Sequence, residues 1–138
     1  MDAFDADVVI YAAAEVHPLG APVRALFLAA ERAGDLAGIG SVLLLPETMS
    51  KPLRTAAAEE IDQLGQLLAL LDLHPADRHI ARTATALSAT YRLKAADAVH
   101  LATAVVAGAD RFVTNNRKDF LKSISEIDIV YPEDLDPA

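Results

Sequence analysis

The chain has 138 residues, of which 53% are hydrophobic and none is cysteine, so we expect one domain over residues 1–138 without disulfide bonds or thiolate chemistry. Twelve Lys and Arg against twenty Asp and Glu give a net charge of −8, which argues against broad electrostatic binding of nucleic acid. No apolar run reaches the length of a membrane span and the N-terminus lacks the basic start of a secretion signal, so we expect a cytoplasmic protein.

The first predicted elements are a strand, a helix and a second strand. The β-branched run Val8–Tyr11 is typical of a buried parallel strand. Apolar residues at helical spacing predict a helix over 18–35 that stops at Gly34. Residues 36–40 are predicted to form the second strand.

Two further helices and a third strand are predicted in the middle of the chain. Ser41 is expected to cap a helix beginning at Val42, which Pro46 should shorten or kink. The apolar spacing in 55–71 predicts the next helix, and residues 67–75 contain a strand whose boundary with that helix is unclear.

The last part of the chain repeats this alternation. Residues 75–93 are predicted to be a helix with Pro75 in its first turn. Residues 95–107 are predicted to form a buried helix closed by Gly108. The remaining strands are predicted at 111–115 and 128–132. Strands that alternate with helices indicate an α/β domain with a mostly parallel sheet and helices on both faces.

Several polar residues follow predicted strands or begin predicted helices. In open parallel sheets ligands bind beyond the carboxyl ends of the strands, so these side chains could meet there, although no spacing rule requires it. Asp5 and Asp7, two residues apart on the first strand, could point to one side. The other candidates are Glu47, Asp97, Thr114, Asn115, Asn116 and Asp119.

Three segments resemble the PIN-domain ribonucleases, and together they span essentially the whole chain in order. The segments are FDADVVIYAAA, SVLLLPETMSK and LKAADAVHLATAVVAGADRFVTNNRKDF, of which the last is the most specific. The resemblance implies a three-layer α/β/α sandwich with a mostly parallel central sheet and an acidic, metal-dependent nuclease pocket. Many bacterial members of this size are VapC-type toxins paired with an antitoxin protein.

The resemblance also assigns roles to individual residues. Asp5, Glu47 and Asp97 match the family's metal-binding acids, and Asn116 stands where many members have a fourth Asp. Asp7 replaces the usual Asn, Ser or Thr. Because residue 116 is Asn, either a fourth acid is missing or Asp7 or Asp119 compensates for it.

The chemistry expected of this set is hydrolysis of RNA phosphodiester bonds. Asp5 and Asp97 would hold Mg²⁺ or Mn²⁺, which prefer oxygen ligands, and Glu47 would complete the shell or orient the attacking water. Thr114, Asn116 and the neighbouring acids Asp7 and Asp119 would support the ligands through hydrogen bonds.

Other polar residues near these motifs have weaker predicted roles. Four basic residues flank the acidic motifs and could contact RNA phosphates. They are Arg92, Lys94, Arg117 and Lys118. His100, one turn after Asp97, is predicted to be a core or supporting histidine rather than a metal ligand. A homodimer is possible on the family pattern.

Two other functions remain open. A receiver domain that accepts a phosphoryl group would use an acidic pair after the first strand and an acceptor such as Asp72, but it also needs a late-strand Lys, and Lys118 lies too far along. A PIN-like fold that has lost catalysis and serves as a binding module is the second alternative, because residue 116 is Asn.

Overall fold

The computed structural model describes residues 1–14 and 16–135. Its strands are β1 (Asp2–Phe4), β2 (Gly38–Ser41), β3 (Leu71–His74), β4 (Arg111–Val113) and β5 (Asp128–Val130). They form one sheet in the order β3-β2-β1-β4-β5, and each neighbouring pair is parallel. The register sets Asp2 of the central strand β1 beside Gly38 on one side and Arg111 on the other.

Helices cover both faces of this sheet. They are α1 (Ala6–Ala13), α2 (Gly20–Ala33), α3 (Leu44–Arg54), α4 (Ala58–Leu68), α5 (Arg78–Tyr91) and α6 (Ala95–Val106). Ala3 of β1 packs into a core with α5 and α6, whereas the next residue, Phe4, packs into a core with α1 to α4. Because successive strand residues face opposite sides, the two cores form a three-layer α/β/α sandwich, as predicted. Within the described ranges, none of the helices is both long and apolar enough to cross a membrane.

The predicted first strand at Val8–Tyr11 is wrong, because this run lies inside helix α1. The strand lies upstream, at Asp2–Phe4, and Asp5 forms the N-cap of the helix that follows. A short apolar run fits either a buried strand or a buried helix, and here α1 buries Val8 and Val9 completely. Asp5 and Asp7 consequently lie at the start of a helix rather than on one side of a strand.

Four predicted helix starts are shifted, and the first of these helices, expected from residue 18, begins at Gly20. The helix expected from Val42 begins at Leu44, and the Ser41 hydroxyl, at the end of β2, accepts a hydrogen bond of 3.1 Å from the Leu43 N–H. Pro46 does not shorten this helix, which runs for 11 residues, because a proline is tolerated in the first turn. Helix α4 is shorter than 55–71 at both ends, and Pro75 precedes α5, whose N-cap is Asp77.

The two predicted helix stops at glycine are confirmed. Gly34 and Gly108 follow α2 and α6 with φ of 73° each, a left-handed conformation that glycine adopts without steric cost. The strands predicted at 36–40 and 67–75 and the two last strands are present, each shorter than expected.

Candidate active site

The order in which successive strands join the sheet reverses at the central strand β1. From β1 the chain continues to β2 and β3 on one side, and it returns through α5 and α6 to β4 and β5 on the other. Loops that leave neighbouring strands in opposite directions open a crevice at the carboxyl ends of those strands. Asp5 follows β1 and Thr114 follows β4, and the Asp5 N–H donates to the Val113 carbonyl at 2.9 Å. The two side chains therefore lie together at this crevice.

Asp5 is a buried acid held by hydrogen bonds on both carboxylate oxygens. Its Oδ1 accepts from the Ala6 N–H at 2.9 Å, and its Oδ2 accepts from the Thr114 hydroxyl at 2.8 Å. Burial raises the pKa of Asp5; Glu47 adds to this, whereas His100 and the two hydrogen bonds lower it without reversing the direction. The orientation of this carboxylate is thus defined before any ligand binds.

Two more aspartates face the same crevice. The Asp7 Oδ2 accepts from the Asn115 N–H at 3.1 Å, while burial and then the Asp5 carboxylate raise the pKa of Asp7 to about 7. Burial also raises the pKa of Asp97, in the first turn of α6, and the charges of Asp5 and Asp119 raise it further. A helix N-terminus favours an anion, so burial and the neighbouring acids together outweigh this effect.

Glu47 joins this group from a distant part of the sequence, on the first turn of α3. Its Oε1 lies 2.9 Å from Nε2 of His100, which belongs to α6. The His100 side chain is 1% exposed and that of Glu47 is 35% exposed. Glu47 raises the pKa of both Asp5 and Asp97, so its carboxylate lies within electrostatic reach of both. We call the five acids the acidic cluster: Asp5, Asp7, Glu47, Asp97 and Asp119.

Asn116, at the position where many family members have an acid, is hydrogen-bonded to the nearby Asp119. Its Nδ2 donates to Asp119 Oδ2 at 3.1 Å, its Oδ1 accepts from the Asp119 N–H at 3.3 Å, and its own N–H donates to the Thr114 hydroxyl at 3.1 Å. Asp119 is also the acid of this loop that raises the pKa of Asp97. The negative charge at this corner therefore comes from residue 119, with Asn116 orienting it.

The acidic cluster has the donor chemistry of a site for Mg²⁺ or Mn²⁺. All its donors are carboxylate oxygens, and the buried Asp7 Oδ1 has no hydrogen-bond partner among the residues that the structure describes. In those same residues, no three His, Asp or Glu side chains are placed to hold one ion directly. Mg²⁺ is usually bound through one or two carboxylates and keeps several of its waters, so the residues fit a largely hydrated ion.

The four basic residues predicted near the site have different environments. Lys94 and Lys118 are exposed, and Arg92 is exposed at the left-handed C-cap of α5. Arg117 forms an ion pair with Glu133, and its guanidinium lies 4.5 Å from the centroid of the Tyr131 ring. Any contact of Arg117 with a phosphate would therefore compete with its contacts to Glu133 and Tyr131.

Fold and site together define an α/β domain with a cluster of acids at the switch point of a parallel sheet. The family model of the PIN domain matches residues 3–126, and the chain therefore belongs to the PIN domain family. The family predicted from the sequence is confirmed.

Solved structures agree with this fold. A toxin–antitoxin complex from Klebsiella pneumoniae contains a chain with 23% identity and a TM-score of 0.71, over 96% of this chain and 98% of that one. VapBC2 from Rickettsia felis, bound to a DNA fragment from its promoter, contains one with 18% identity and a TM-score of 0.72, over 94% and 97%. No curated protein sequence matches the chain significantly.

The structure brings together all the residues predicted for the site, and their catalytic and metal-binding roles remain predictions. Two connections in the site were not predicted from the sequence. One is the hydrogen bond from His100 to Glu47, for which only the position of His100 one turn after Asp97 gave a signal. The other is the pairing of Asn116 with Asp119, which their spacing of three residues could have suggested.

Proposed function

We propose that this protein is a Mg²⁺- or Mn²⁺-dependent endoribonuclease and the toxin of a toxin–antitoxin pair. The observation that carries the proposal is the acidic cluster at the switch point of the sheet, where burial and then the Asp5 carboxylate raise the pKa of Asp97. A bound divalent cation would relieve the repulsion between the carboxylates of the acidic cluster. Membership of the PIN domain family supports the nuclease assignment.

Each residue has a proposed part in hydrolysis. Asp5 and Asp97 hold the ion, which when bound supplies an activated water and neutralises charge on the phosphate. The Thr114 hydroxyl keeps Asp5 oriented. Glu47 uses Oε1 to accept from His100, and Oε2 is the atom proposed to accept a hydrogen bond from the attacking water. Asn116 holds the neighbouring carboxylate in place.

The proposed partner is an antitoxin protein. The two solved structures with this fold are described as a toxin–antitoxin complex and as VapBC2, and this similarity motivates the assignment. A net charge of −8 suits a partner whose contacting segment is basic. We further propose a cytoplasmic location and RNA as the substrate.

One alternative retains a supporting observation. Residue 116 is Asn rather than an acid, which favours a PIN-like binding module that has lost catalysis. The receiver-domain alternative is not supported, because receiver domains have the strand order 2-1-3-4-5, in contrast to the order found here. Asp72 also lies on the edge strand β3, where it pairs with His74 at 3.1 Å rather than with the acidic cluster.

The deciding experiment is RNA cleavage with Mg²⁺, Mn²⁺ or EDTA by the wild type, Asp5→Asn, Asp97→Asn and Asp35→Asn. Asp35 is exposed and lies outside the cluster, so it controls for the loss of one negative charge. We expect cleavage only with a divalent ion, and a loss of about a hundredfold or more in the first two variants, since metal ions supply several kcal/mol of transition-state stabilisation.

Calorimetric titration with Mn²⁺ separates the enzyme from the binding module. The proposed enzyme binds Mn²⁺, and Asp5→Asn and Asp97→Asn weaken this binding. A wild type that cleaves equally well in EDTA, or variants that cleave at the wild-type rate, would contradict the assignment.

A further inference from the structure

Glu47 and His100 form a contact that joins two helices from distant parts of the chain. Glu47 is on α3, with a partly exposed side chain, and His100 is on α6, almost completely buried. A glutamate that is free to rotate loses conformational entropy when it is fixed in one position. The hydrogen bond of 2.9 Å provides a partner that fixes it in advance.

We propose that His100 is a positioning residue that sets the orientation of the Glu47 carboxylate toward Asp97. The proposal rests on the proposed nuclease function and adds a residue to it. Because Asp97 and His100 are three residues apart on α6, they lie on the same side of this helix. Helix α6 therefore contributes one acid directly and controls a second acid through the imidazole.

The hydrogen bond defines which ring nitrogen acts as the donor. A carboxylate only accepts hydrogen bonds, so Nε2 of His100 carries the proton in this contact. Nδ1 is buried and has no hydrogen-bond partner in residues 1–14 and 16–135. The imidazole thus makes one directed contact, and that contact is with Glu47.

Packing alone does not account for a histidine at this position. Of the four residues that follow it on α6, Leu101, Ala102 and Ala104 are apolar and fully buried, and the hydroxyl of the buried Thr103 donates to a carbonyl of the same helix. A buried ring nitrogen without a partner destabilises the folded state, and an apolar residue of similar size would avoid this cost. Buried polar groups that lack a partner in a native protein call for an explanation. We infer that the histidine is present because its contact with Glu47 orients the Glu47 carboxylate.

Two substitutions of His100 distinguish the effect of side-chain length from the effect of side-chain polarity. In His100→Gln the side-chain amide extends to about the place of Nε2 and can still donate to Glu47. In His100→Asn the amide is equally polar but stops near the place of Nδ1. His74→Gln is the matched control, since His74 pairs with Asp72 on β3, outside the acidic cluster. Urea unfolding of each variant verifies that it is folded.

We expect His100→Asn to lower kcat by about ten- to hundredfold, because partners of this kind have effects of that size when they are removed. His100→Gln should stay within about fivefold of the wild type, and KM should change by less than about twofold in both. His74→Gln should have the wild-type kcat. In a Glu47→Ala background, His100→Asn should lower kcat by less than about twofold further, because its partner is already absent.

The proposal is overturned if His100→Gln is as inactive as His100→Asn, or if His100→Asn causes the same loss with and without Glu47. Mn²⁺ affinity, measured by calorimetry, gives a second readout that does not need cleavage. If the wild type binds Mn²⁺ but does not cleave RNA, the proposed function fails, and the Mn²⁺ affinities of the variants still test the role of His100. In that case His100→Asn must weaken Mn²⁺ binding in an otherwise wild-type chain, and it must not weaken it further in a Glu47→Ala background. A wild type without Mn²⁺ binding or cleavage overturns both.

Discussion

Replacement of Asp7 by Asn should stabilise the folded protein at pH 8 more than at pH 5.5. The Asp7 carboxyl is half-buried beside Asp5, and burial followed by the Asp5 charge raises its pKa from 3.8 to about 7. Between these two values the folded state binds more protons than the unfolded state. The free energy of unfolding therefore falls as the pH rises through this window.

The size of the effect follows from the two pKa values. A pKa that rises from 3.8 to about 7 corresponds to a destabilisation of at most about 4 kcal/mol above pH 7, at about 1.36 kcal/mol per tenfold change in acidity. At pH 5.5 about half of this destabilisation is present. Asn keeps an acceptor for the Asn115 N–H, but this neutral hydrogen bond is weaker by about 1 kcal/mol. We expect a net stabilisation of about 2–3 kcal/mol at pH 8 and about 1 kcal/mol at pH 5.5.

Urea unfolding followed by circular dichroism at the two pH values, in buffer with EDTA, measures this difference. Asp35→Asn removes the same charge from an exposed position and should change stability by less than about 0.5 kcal/mol at both. The reasoning is refuted if Asp7→Asn has the same effect at pH 5.5 and pH 8, or if it destabilises the protein more at pH 8.

The remaining predictions concern packing and the support of Asp5. Gly20→Ala should destabilise the fold by about 1–3 kcal/mol, because an added Cβ would lie 2.0 Å from the Tyr11 carbonyl oxygen, where α1 and α2 pack closely. Gly65→Ala is its control in α4, where nothing lies within 4 Å of an added Cβ, and it should stabilise by about 0.5–1 kcal/mol; thermal unfolding that ranks the two alike would contradict this. Thr114→Val should cost about 1–3 kcal/mol, because it removes the hydroxyl that donates to Asp5. The loss should be greater at pH 8 than at pH 5.5 in urea unfolding, since this hydroxyl lowers the pKa of Asp5 and stabilises the carboxylate.

Local sequence determined the class of fold and most of the elements. Alternating apolar strands and amphipathic helices predicted the parallel α/β sandwich, and Gly34 and Gly108 marked helix ends because their left-handed conformations are favourable for glycine. The prediction failed at Val8–Tyr11, since a short apolar run has the same composition in a buried strand and in a buried helix. What distinguishes them is the capping of α1 by Asp5 and the burial of the run against other helices, and the latter is tertiary.

The sequence by itself also supplied the identities of the acids, through local motifs around Asp5, Glu47 and Asp97. Only the tertiary structure decided that these acids meet. Their convergence depends on β1 lying beside β4 and on α3 meeting α6, and neither contact is encoded in the spacing of residues along the chain. The same holds for the raised pKa values, because burial and neighbouring charges exist only once distant segments have packed together.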